Sequence, residues 1–116
     1  MGKGKDEAAL ECYRNVLLKL WHVTGYIQWK DLPLRWIAAN LPNVGVRLIH
    51  ELMAHHVASG GRIDQTEETR PEYVAWRFHY DLRMPISNRR VYIETVLDQT
   101  DDLEDCTIWV VNIHDQ

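Results

Sequence analysis

The chain has 116 residues, 46% of them hydrophobic, with a net charge of −4. That is enough apolar material for one domain, residues 1–116, whose core needs no metal or disulfide staple. No apolar run approaches the roughly 20 residues that cross a bilayer, and the first residues are polar rather than a secretory leader, so a soluble cytoplasmic protein without membrane contact is expected.

Asp6 to about Tyr26 reads as a long amphipathic helix, with Ala9, Tyr13, Val16, Leu17, Leu20 and Trp21 on one stripe. Asp31 is an N-cap candidate for a short second helix that carries Pro33 in its first turn and stops by Asn40, ahead of Pro42. A third helix spans about Val44 to Ala58, with Val46, Ile49, Leu52, Met53 and Val57 inward, and ends at Gly60-Gly61. Residues 62–71 are polar and end in proline, which fits a connection or a short strand followed by a loop.

Three strands follow. Glu72 to Arg83 alternates, with Val74, Trp76, Phe78, Tyr80 and Leu82 facing inward and Arg77, His79, Asp81 and Arg83 facing outward. Arg89 to Leu97 puts Val91, Ile93, Thr95 and Leu97 against Arg90, Tyr92 and Glu94. Thr107 to His114 puts Thr107, Trp109, Val111 and Ile113 against Asn112 and His114. Pro85 to Asn88 forms the first turn and the acidic run at 98–105 the second. The fold class is therefore α+β: a helical layer over residues 1–60, a connection over 61–71, and an antiparallel meander of at least three strands over 72–114.

A first turn centred on Ile86-Ser87 sets Tyr80 opposite Ile93, so His79 faces Glu94 and Asp81 faces Tyr92. Ile93 opposite Val111 then sets Tyr92 beside Asn112 and Arg90 beside His114. The outward face collects Arg, His, Asp, Tyr, Glu and Asn.

That inventory suits acid–base work on a phosphodiester. Glu94 or His79 can take the 2′-hydroxyl proton and His114 can protonate the leaving oxygen. Arg70, Arg77 or Arg90 can clamp the phosphate, with Tyr92 and Asn112 as further substrate contacts. The same residues also fit an ordinary solvated face, whose cross-strand pairs contribute about 0.2–1 kcal/mol each.

Other chemistries find less support. His50-Glu51 begins like a zinc-protease helix, but residue 54 is alanine and His55 lies about 140° around the helix from His50. The chain has no Gly-rich phosphate loop, dinucleotide fingerprint or nucleophile elbow, and neither a metal nor a cofactor is expected. Cys12 and Cys106 lie far apart with no motif around them, which reads as a pair of buried free thiols.

Charge is unevenly laid out. Residues 1–60 carry seven basic and five acidic side chains, residues 61–116 six and twelve. The acidic excess opposes nucleic-acid binding in general. Every basic residue after Lys30 is nonetheless arginine, the side chain suited to bidentate phosphate contact.

Three helical segments, a polar connection and a meander ending in histidine (Tyr73 to Asp81, Arg90 to Thr95, Ile108 to His114) resemble the barnase/RelE-type small ribonuclease toxins over residues 44–114. The resemblance is architectural. It implies helices packed on an antiparallel sheet whose polar face cleaves RNA without a metal, and a protein partner such as an antitoxin or regulator. The acidic run and the net charge depart from the basic character of many such toxins. A different class competes: helices one to three with Arg62 to Thr69 as a wing resemble a winged helix-turn-helix, with Arg47, His50, Glu51 and His55 on the outer face of the third helix. A module with no chemistry, binding a protein through its helices, is the third reading.

Overall fold

The computed structural model describes residues 6–99 and 106–116. Helix α1 spans Glu7–Lys19 and begins where the Asp6 carboxylate accepts the amide of Ala9 at 3.0 Å. It is shorter than the periodicity predicts. The Val23-Thr24-Gly25 segment is a poor helix former, and Gly25 takes a φ of 101° that turns the chain into strand β1, Ile27–Trp29. Helix α2 covers Asp31–Asn40, with Lys30 rather than Asp31 at its N-cap, and α3 covers Val46–Ala58. The α3 terminus is closed by the Gly61 amide on the carbonyl of His56 at 2.7 Å. A Cβ on Gly61 would meet that oxygen at 2.4 Å, so only glycine fits.

Strand β2 is Asp64–Glu67, followed by a 3-10 turn at Pro71–Trp76. Strands β3 (Phe78–Ile86), β4 (Arg89–Gln99) and β5 (Cys106–Asp115) complete the sheet. Its order is β1-β5-β4-β3-β2; β1 runs parallel to β5 and the other pairs are antiparallel. The expected α+β architecture is present, enlarged by two edge strands. The segment offered as a wing is the edge strand β2. The acidic residues of the second turn, 100–105, lie outside the described residues.

Three expectations about the meander are corrected. Residues 72–76 are not strand: Pro71 opens the 3-10 turn, Arg77 adopts a φ of 67°, and Val74 is 59% exposed rather than core. Trp76 is likewise only half-buried. The β3–β4 turn centres on Ser87-Asn88, whose φ values of 50° and 66° are those of a two-residue type I′ hairpin. Moving the turn centre by one residue slides β4 by two. Tyr80 therefore faces Thr95, Asp81 faces Glu94, and His79 faces Val96 rather than Glu94. Parity survives and neighbours change.

The third concerns β4 and β5: Ile93 faces Ile113 rather than Val111, Tyr92 faces His114 rather than Asn112, and a bulge interrupts the pairing. Glu94 pairs with Asn112 but Thr95 pairs with Val110, leaving Val111 as the extra residue. Parity inverts below it, so Cys106, Ile108 and Val110 face the helices while Thr107 and Trp109 face away.

The core lies between the helices and the sheet. Tyr13, Val16 and Leu17 of α1 and Ile49 and Met53 of α3 meet Tyr80, Leu82, Ile93 and Ile108. Burying each large aliphatic side chain contributes about 1.5–3 kcal/mol. Tyr13 stacks on Tyr80 with ring centroids 4.5 Å apart. Its hydroxyl donates to Thr95 Oγ1 at 2.8 Å, because that oxygen spends its own proton on the carbonyl of Tyr80 at 2.7 Å. Cys12 and Cys106 are not free thiols. They form a disulfide joining α1 to the head of β5, which removes one support for a cytoplasmic location. Among the described residues no helix is long and apolar enough to cross a membrane.

Candidate binding face of the sheet

The sheet face turned away from the helices is organised in rows set by strand register. One row runs Asp64, Asp81, Glu94, Asn112 across β2 to β5. The next runs Arg83, Tyr92, His114 across β3 to β5. Thr66, His79, Val96 and Trp109 lie on the other side of the carboxylate row.

Asp81 and Glu94 are buried directly opposite one another, a pairing that repels unless each charge is compensated. Asp81 is met by His79 Nδ1 at 3.0 Å and by the Tyr92 hydroxyl, which donates to it. Burial, and after it the negative charge of Asp81, hold the Tyr92 phenol above its ordinary range. Glu94 is met by the guanidinium of Arg70, which also donates to Glu68 at 2.8 and 2.9 Å. Those bonds hold the buried Glu68 carboxyl at about 2 and raise Arg70 above its ordinary value. The segment entering the 3-10 turn thus covers Glu94 with a bridging arginine.

Outside this buried network the face is basic and aromatic. Arg83 lies 5.1 Å over the Tyr92 ring, and Tyr92 lies 4.8 Å from the His114 ring. The Arg83 and Arg62 guanidinium groups both pair with Asp64, the latter at 2.5 Å. Arg90 is exposed on the same face, one row beyond Tyr92. At the opposite margin Lys30 Nζ sits 4.4 Å over Trp109.

His79, Glu94 and His114 share this face but occupy three successive rows, so each adjacent pair is diagonal, about 7–8 Å apart. His79 serves Asp81, Glu94 serves Arg70, and His114 is exposed, its Nδ1 donating to the carbonyl of Asp115. Arg90, Tyr92 and Asn112 are on the face, and Asn112 accepts the amide of Ile113. Arg77 is not part of it. The positive φ before β3 turns it toward α1, where it pairs with Asp6 at 3.5 Å. On α3, Arg47, Glu51 and His55 are exposed, whereas His50 is half-buried and accepts a bond from Trp29.

Sequence reasoning missed Glu68, Asp64 and Trp109. Glu68 and Asp64 carried no periodic signal within a polar connection. Trp109 did carry one: the unbroken apolar run Ile108 to Val111 allows either parity and so invites a bulge. Comparison with family models, with characterised proteins and with solved structures finds no match to this chain.

Proposed function

We propose that this protein is a non-catalytic module that binds single-stranded RNA on the outer face of its sheet. The observation that carries the reading is the row Arg83–Tyr92–His114, with Arg90 beside it: two aromatic rings 4.8 Å apart, an arginine over one of them, and a second arginine within reach. Stacking rings interleaved with guanidinium groups suit unpaired bases and their phosphates, and each stacked base contributes about 1–3 kcal/mol. Binding without cleavage is favoured because Glu94 is buried beneath Arg70 and its negative charge is already paired. A general base needs a carboxylate open to the substrate hydroxyl.

The net negative charge weighs less here than it did for the whole chain. Asp98, where the acidic run begins, lies eight residues along β4 from Arg90, about 26 Å at the rise of a strand. That exceeds the screening length of about 8 Å at physiological salt.

Fluorescence anisotropy with a labelled oligouridine, followed by gel analysis of the same sample, tests the reading. Salt-sensitive binding that falls about tenfold in Tyr92→Ala, with the oligonucleotide intact, is the expected result. No binding at about 100 µM protein, or equal binding by Tyr92→Ala, overturns it. Cleavage that is lost in Glu94→Gln and His114→Ala would establish the ribonuclease reading instead.

A further inference from the structure

A second feature lies away from the sheet face. The α1–β1 connection and the start of α3 enclose a cleft of about 380 Å³ whose lining includes Trp21, His22, Gln28, Arg47 and His50 and contains no acidic residue. In a chain with seventeen acidic side chains, a cleft edged by an arginine and no carboxylate is a local reversal of sign.

The tautomer of His50 is set by its neighbour. An indole N–H can only donate, so the bond from Trp29 Nε1 to His50 Nε2 at 2.8 Å requires that nitrogen to be unprotonated. The proton of the neutral ring therefore sits on Nδ1, which has no partner among the described residues. Burial, and after it the positive charge of Arg47, lower the His50 pKa to about 4, so the ring stays a neutral donor at physiological pH. Arg47 is exposed and forms no ion pair among the described residues. Trp21 adds a flat apolar wall, with the His22 ring edge-on to it at 5.4 Å.

We infer that this cleft is a binding site for a planar aromatic carboxylate, its carboxylate held by the Arg47 guanidinium and the His50 Nδ1–H, its ring laid against Trp21. The guanidinium fork matches a carboxylate in two parallel bonds, and the volume falls within the range of small-molecule sites. The inference is independent of RNA binding, since no residue is shared with the sheet face.

The test is titration of the ¹⁵N-labelled protein with 2-naphthoate, read at the indole N–H resonances of Trp21 and Trp29 and compared with the neutral isostere 2-naphthamide. Saturable shifts of both resonances are expected, with naphthamide at least about tenfold weaker and Arg47→Ala weakened to a similar degree. Arg47 is exposed, so its removal leaves the core intact, and the naphthamide arm needs no variant at all. Absence of shifts at about 5 mM naphthoate, equal affinity for naphthamide, or undiminished binding by Arg47→Ala overturns the proposal.

Discussion

The indole of Trp29 donates to the imidazole of His50 across 2.8 Å, the two rings nearly parallel at 24°, and so ties strand β1 to helix α3. Protonating His50 at Nε2 destroys the acceptor. The folded His50 titrates near 4 against 6.5 in an unfolded chain, so the unfolded state takes up the proton first. The native state therefore loses stability as pH falls from about 6.5 toward 4. NMR titration should show His50 still neutral at pH 5, and the Trp29 indole resonance should move with the His50 transition. A His50 pKa near 6.5 would contradict the contact.

The disulfide should dominate stability under oxidising conditions. It joins residues 94 apart in the chain, for which the loss of chain entropy in the unfolded state predicts about 4.7 kcal/mol. Replacing both Cys12 and Cys106 by serine should lower the urea-unfolding free energy by about that amount. The wild-type protein in excess reductant should approach the variant.

Removing Arg70 should be costly although its own side chain is 41% exposed. Arg70→Met leaves Glu68 and Glu94 buried with no counter-charge, a loss of about 3–5 kcal/mol at neutral pH. The acid dependence has a definite sign. The Glu68 carboxyl titrates near 2 when folded and at 4.5 otherwise, so its contribution is complete above about 4.5 and disappears as pH falls toward 2. Stability curves of wild type and Arg70→Met should converge over that interval.

The hairpin turn offers a change in the opposite direction. Asn88 holds a φ of 66°, tolerable for asparagine and free of strain for glycine. Asn88→Gly should stabilise the β3–β4 hairpin by about 0.5 kcal/mol, measured by thermal unfolding, because Asn-Gly and its relatives suit type I′ turns best. Ser87→Pro should destabilise strongly, since proline cannot adopt the φ of 50° at that position.

On the sheet face, the register makes a further demand. Arg83→Ala removes the cation over Tyr92 and one of the two arginine partners of Asp64 without touching the core. It should weaken oligouridine binding and reduce the salt dependence by about one phosphate contact, with the circular dichroism spectrum unchanged. Arg77→Ala, whose side chain is turned toward α1, should leave binding as it was.

The three helices, the three long strands and the polar character of the outer face were legible in the sequence, because amphipathic period and capping chemistry act locally. Leu82, Ile93 and Ile113 could be placed inward from alternation alone, and they are buried. What depended on the tertiary structure was which residue meets which. The two positive φ values at Ser87-Asn88 slid β4 by two residues, and the bulge at Val111 inverted the lower half of β5; both preserve a plausible hydrophobic pattern and so leave no trace in it. The disulfide is of the same kind. Residues 12 and 106 have no local relation, and only the packing of α1 across β5 brings their Cα atoms to 6.6 Å. The candidate site followed the same division: its residue types were visible in the strands, but its counter-charges, Arg70 on Glu94 and Asp64 on Arg83, come from the polar connection and are decided by long-range contacts that no periodicity encodes.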